Sequence, residues 1–130
     1  MKFLDTNILV RYLLQDVPEQ SEFIKNLFSQ ALSANEELLV LPQVLVELNY
    51  VLLNYYQIEK EIVAKLIYEI MAIGFIRISK NSVDFQKALI FYQKYSLSIE
   101  DCFYLQCCLE NQYTLVSFDK KLVSVYKKCL

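Results

Sequence analysis

The chain reads as an α/β domain built on a mostly parallel sheet. Short apolar runs at residues 2–5, 38–41, 75–78 and 113–116 alternate with longer stretches of helical periodicity. The run Leu38-Leu39-Val40-Leu41 contains no polar residue, as expected of a strand covered on both faces. The composition, 55% hydrophobic with ten Tyr and eight Phe, supplies a real core for one domain spanning residues 1–130 and argues against disorder.

Each element has a local reason. Residues 2–5 form a first strand, and a helix follows over about 7–14. Asp16-Val17-Pro18-Glu19 starts a second helix with Pro in its first turn, running to about 33. Its apolar residues Phe23, Ile24, Leu27, Phe28 and Ala31 share one helical face. After the strand at 38–41, Pro42 opens a helix to about 56. An amphipathic helix covers 59–72, and a strand covers 75–78. Asn81 or Ser82 then caps a helix to about 95. Ser98 opens another to about 111, a strand spans 113–116, and a last helix spans 119–128.

Composition excludes several chemistries. There is no His, so imidazole bases, catalytic triads and His–metal sites are absent. Gly74 is the single glycine, which rules out glycine-rich phosphate loops. The four Cys, at 102, 107, 108 and 129, contain no C-x-x-C spacing. Three of them lie in an apolar helical run, where free thiols behave as small hydrophobes in a reducing compartment. Asp5 and Arg11 interrupt any signal-peptide core, and no stretch is long and apolar enough to span a membrane. A cytoplasmic protein is expected. The net charge of −2 confines nucleic-acid binding to local patches. The apolar surplus over an ordinary domain suggests a buried interface with a copy or a partner, or a well-filled core.

In a parallel sheet, ligands bind beyond the carboxyl ends of the strands. Asp5 ends the first strand, and Asp119 follows the fourth with Ser117 and Phe118 between. Each acid has an ordinary role by itself. Asp5 and Asp119 are good helix caps. Ser98-Ile99-Glu100-Asp101 resembles a capping box. Glu47 shares a helical stripe with Gln43, Tyr50 and Asn54, which could be a solvent face. Together, Asp5, Glu47, Asp101 and Asp119 stand near helix starts at one rim of the sheet. Four acids there repel and raise one another's pKa values. Hard oxygen ligands without His or thiolate select Mg²⁺ or Mn²⁺, the ions of hydrolytic phosphate chemistry.

The pattern resembles the PIN-domain ribonucleases, most closely the VapC-type toxins of toxin–antitoxin pairs. The matching stretches are Phe3-Leu4-Asp5-Thr6-Asn7, Val46-Glu47-Leu48, Ser98-Ile99-Glu100-Asp101 and Ser117-Phe118-Asp119-Lys120-Lys121. The resemblance implies a three-layer α/β/α sandwich and an acidic quartet, Asp5, Glu47, Asp101 and Asp119, binding Mg²⁺ or Mn²⁺. It also implies Thr6, Asn7 and Ser117 as polar site-lining residues, and endonucleolytic hydrolysis of single-stranded RNA. Such toxins usually form homodimers and are silenced by an antitoxin segment lying in an apolar groove. Two departures stand out. The family commonly has a fifth strand after the last helix, where only Cys129-Leu130 remain. The helix after Asp101 is bulkier than usual.

Arg11, Lys120 and Lys121 are candidate RNA contacts, or solvated helix charges. Lys127 and Lys128 suit the end of a helix by its dipole alone. Tyr12, Tyr50 and Tyr104 could stack bases or fill the core. A haloacid-dehalogenase-like phosphohydrolase would need a second Asp where Asn7 stands. A response-regulator receiver would need adjacent acids before the first helix. A catalytically inactive PIN-like binding module is the remaining alternative.

Overall fold

The computed structural model describes residues 1–80 and 84–130. Its sheet has four strands, β1 (Lys2–Leu4), β2 (Leu38–Val40), β3 (Ile76–Ile78) and β4 (Thr114–Val116), in the order β3-β2-β1-β4. Every pairing is parallel, with Phe3 opposite Leu39 on one side and Leu115 on the other. The sequence suggested a mostly parallel sheet; among the described residues it is wholly so. All three residues of β2 are buried, which explains its unbroken apolar run.

Seven α-helices connect the strands among the described residues: α1 (Thr6–Leu14), α2 (Pro18–Ala34), α3 (Pro42–Tyr50), α4 (Lys60–Met71), α5 (Phe85–Lys94), α6 (Ile99–Asn111) and α7 (Lys120–Cys129). They pack in two groups. α1 lies on α2 and α3, and α3 on α4; α6 lies on α5 and α7. The last helix runs to Cys129, so the described residues contain no fifth strand.

Local chemistry sets the helix boundaries. Pro18 and Pro42 open α2 and α3, Ser98 caps α6 by accepting from the Asp101 N–H at 3.1 Å, and Asp119 caps α7. With glycine scarce, α1, α2 and α6 end on Gln15, Asn35 and Gln112 at φ of 51°, 54° and 58°. Each pays a steric penalty that glycine would avoid.

Two expectations need correction. The single helix expected over 42–56 is α3 followed by one π-helical turn, Val51–Tyr55, closed by the Tyr56 N–H bonding the Val51 carbonyl at 3.2 Å. The α5 cap is Asp84, which accepts from the Lys87 N–H at 3.2 Å. Asn81 and Ser82, proposed for that role, lie outside the described residues. The Asp84 backbone N–H also donates to Gln106 Oε1 of α6 at 3.0 Å.

The core is one cluster on both sheet faces, and it includes the thiols of Cys102, Cys107 and Cys108. Along α3, Leu48 is fully buried while Val46 is 70% exposed. Leu48→Ala should therefore cost about 2–5 kcal/mol. Val46→Ala should stay within about 0.5 kcal/mol. Urea denaturation of both variants measures this, and equal losses would contradict the orientation of α3.

Candidate active site

The parallel pairing of β1 with β4 puts two strand ends side by side. The Asp5 N–H bonds the Val116 carbonyl at 3.0 Å, and the two loops beyond are then stitched together. Asn7 Oδ1 accepts from the Phe118 N–H at 3.2 Å. Ser117 Oγ donates to Asp5 Oδ2 and accepts from the Asp119 N–H at 3.0 Å. Asp5 Oδ1 accepts from the Thr6 N–H at 2.7 Å.

Asp5 is therefore both the cap of α1 and a wall of a cavity of about 440 Å³. Glu47 from α3, Asp101 from α6 and Asp119 before α7 line the same cavity, with Thr6 and Asn7. Four elements thus bring together the four acids that the sequence singled out. Ser117 is not in the cavity lining and reaches it through its bonds to Asp5 and to the Asp119 N–H. Asn7, the position where a dehalogenase-like enzyme needs its second acid, instead ties the two loops.

Burial dominates the electrostatics. It pushes the Asp5 carboxyl up to about 6, against the hydrogen bonds from Ser117 and Thr6; Glu47 and Asp119 add repulsion. Burial likewise raises Asp101 to about 7, with repulsion from Asp5, Asp119 and Glu47. Glu47 is raised by burial too, relieved by hydrogen bonds that include the Tyr104 hydroxyl, whose oxygen lies 3.4 Å from Oε1.

Among the described residues, no three acidic or thiol groups are already close enough to hold a metal ion. The carboxylates surround a common space without converging in it. Their chemistry nevertheless fits a hard divalent cation: oxygen donors only, crowded enough to repel, with two carboxyls that burial holds partly protonated near neutral pH.

The basic residues separate. Arg11 lines the cavity, but its Nη1 is held by both Asp16 carboxylate oxygens at 2.8 Å and by the Tyr56 hydroxyl at 3.1 Å. Lys120 lines a neighbouring cavity of about 600 Å³ together with Lys127 and Lys128. Lys121 lines neither cavity. Of the tyrosines, Tyr104 is fully buried and Tyr12 packs on Phe28, with ring centroids 4.9 Å apart. Tyr50 is exposed and lines the acidic cavity.

Sequence reasoning missed Tyr55 and Tyr56, which also line it. An α-helical wheel puts residues five apart about 140° from each other. The π turn brings such residues onto one face, and nothing in the local composition announces it. Ser98 also lines the cavity, though the sequence marked it only as a cap.

A family model of the PIN domain matches residues 2–128. No curated protein sequence matches the chain. Among the described residues, no helix is long and apolar enough to cross a membrane.

The raised carboxyls set a pH dependence. Between the ordinary carboxyl value of 3.8 and about 7, the folded chain binds more protons at Asp5 and Asp101 than the unfolded chain. The contribution of these two groups to metal-free stability therefore falls as pH rises through that window. Asp5→Asn should flatten this fall and add about 1–2 kcal/mol at pH 8, of which roughly half remains at pH 5. Melting curves in chelator at intervals from pH 5 to 8 measure it. An unchanged slope in the variant would contradict the burial of this carboxyl.

Proposed function

The chain belongs to the PIN-domain family, a family of nucleases, and from that premise we propose that it is a Mg²⁺- or Mn²⁺-dependent endoribonuclease acting as the toxin of a toxin–antitoxin pair. One observation carries the reading: carboxylates from four separate elements line a single cavity at the carboxyl ends of β1 and β4. Helix starts at this rim account for Asp5 and Asp119, which cap α1 and α7, but Glu47 lies inside α3 and Ser98 rather than Asp101 caps α6. Asp5, Glu47, Asp101 and Asp119 would hold the ion, which when bound polarises the scissile phosphodiester and acidifies water.

The protein's own groups prepare the site. Thr6 and Ser117 fix both oxygens of Asp5, so its carboxylate has one orientation before any ligand arrives. Tyr104, whose hydroxyl burial keeps protonated, restrains Glu47. The Ser98 cap fixes the first turn of α6 and with it Asp101. Such preorganisation removes reorganisation from the reaction step.

RNA enters an acidic site only if its backbone is held elsewhere. Lys120, with Lys127 and Lys128, supplies positive charge in the adjoining cavity, while Arg11 is committed to Asp16 and Tyr56. Lys121 would act only as part of the wider field. The toxin part of the reading adds an antitoxin and a homodimer, both of which cover apolar surface. A groove of about 670 Å³ between α3 and α6, with Pro42, Val46 and Phe103 in its lining, is surface of that kind and meets the acids at Glu47. An inactive binding module would not need four carboxylates around one space.

The test is cleavage of labelled single-stranded RNA with Mn²⁺. The wild type should cut it, and Asp101→Asn should lose at least about 100-fold in rate, since ligand loss removes several kcal/mol of charge stabilisation. Asp101→Asn cutting at the wild-type rate would sink the nuclease reading.

A further inference from the structure

Two tyrosine rings stand exposed at the mouth of the acidic cavity. Tyr50 is 65% exposed and Tyr55 is 78% exposed, and both line it. They meet there because of the π turn: i→i+5 bonding stacks residues five apart on one face, where α geometry would leave them about 140° apart. A π turn costs hydrogen-bond geometry, and such turns are frequent at functional sites.

The Tyr55 ring is also seated. It meets Tyr56 edge-on, with centroids 4.9 Å apart and planes at 70°. The Tyr56 hydroxyl is held by Arg11 at 3.1 Å, and Arg11 is clamped by Asp16. An ion pair and a hydrogen bond thus hold Tyr56, the ring against which the exposed Tyr55 ring rests.

We propose that Tyr55, with Tyr50, is a stacking platform for an unpaired base of the single-stranded RNA whose backbone is cut at the acids; this rests on the nuclease reading above. The occupant follows from the lining. Apart from Val10 and Val51, the apolar surface of this cavity is tyrosine. A flat, neutral base with an exposed π-face can lie against such a wall beside four carboxylates, where an acidic group cannot. An aliphatic peptide side chain has a better seat in the adjoining groove at Pro42 and Val46, which shares Tyr50 and Val51 with the cavity but not Tyr55. Stacking tolerates any base, so the platform would demand single-strandedness rather than a sequence.

The experiment uses fluorescence anisotropy in EDTA, where binding is read without cleavage. The protein is Asp101→Asn, which lowers repulsion. The probes are a labelled single-stranded oligoribonucleotide and an abasic ribose-phosphate oligomer of the same length. The base-bearing probe should bind about 10-fold tighter or more, as stacked bases do on aromatic platforms. Tyr55→Ala should abolish that difference. Tyr55→Phe should keep it, as should Tyr68→Ala, an exposed tyrosine of α4 outside the cavity lining.

Equal binding of both probes would overturn the platform. So would Tyr55→Ala binding RNA like its parent, or Tyr55→Ala disrupting self-association in sedimentation at unchanged RNA affinity. That last outcome would mean that a second copy covers the rings. Cleavage in Mn²⁺ by Asp101→Asn at the wild-type rate would instead defeat the nuclease reading and leave the binding result standing.

Discussion

A carboxyl group that is 3% exposed must be neutralised or hydrogen-bonded at both oxygens. Asp5 is such a group, and the surrounding arrangement answers to it. β4 must pair with β1 so that Ser117 can reach one oxygen, and α1 must start at Thr6 so that its first N–H can reach the other. The same pairing carries Asp119 to the rim of the sheet. The order β3-β2-β1-β4 then leaves space beyond these two strand ends, into which α3 and α6 deliver Glu47 and Asp101. Burial that would be a defect in an ordinary domain here holds an acid rigidly at the edge of a cavity.

The helix caps and the acidic cavity are not competing explanations. Asp5 and Asp119 cap α1 and α7 with oxygens that face the chain's own N–H groups, and both still line the cavity. A cap fixes a carboxylate at little cost in side-chain entropy, because short acids have few rotamers to lose. Among the described residues, no three of these carboxylates are close enough to share an ion. An ion under the proposed reading would draw them inward and release the protons that burial retains on Asp5 and Asp101.

Much of this was legible in the residues, and the failures have identifiable causes. The strand at 38–41 announced itself because a doubly covered strand has no polar face. Asp5, Asp101 and Asp119 stood out because each follows a strand or opens a helix, and parallel topology sends such positions to one rim. Glu47 was less legible, since its helical stripe could have been a solvent face; its place early in the helix opened by Pro42 set it beside the others. Tyr55 was invisible because a wheel drawn at α spacing assigns it to another face than Tyr50. Asp84 was missed as a cap, although Asp suits that role; its backbone is also tied to Gln106, 22 residues away. Arg11 looked like a free cation in the sequence; only the fold shows Asp16 and Tyr56 holding it. Local rules fail where a tertiary partner decides.

The central claim is that the four acids act on one ion, and melting temperature against Mn²⁺ concentration tests it most directly, with no substrate required. Ligand binding to the folded state alone stabilises it by about 2.7 kcal/mol at a hundred times Kd. The account predicts that Mn²⁺ raises the melting temperature of the wild type in a saturable way, and that Asp5→Asn and Asp101→Asn each abolish the response. A wild type indifferent to Mn²⁺, or variants that respond as it does, would contradict it.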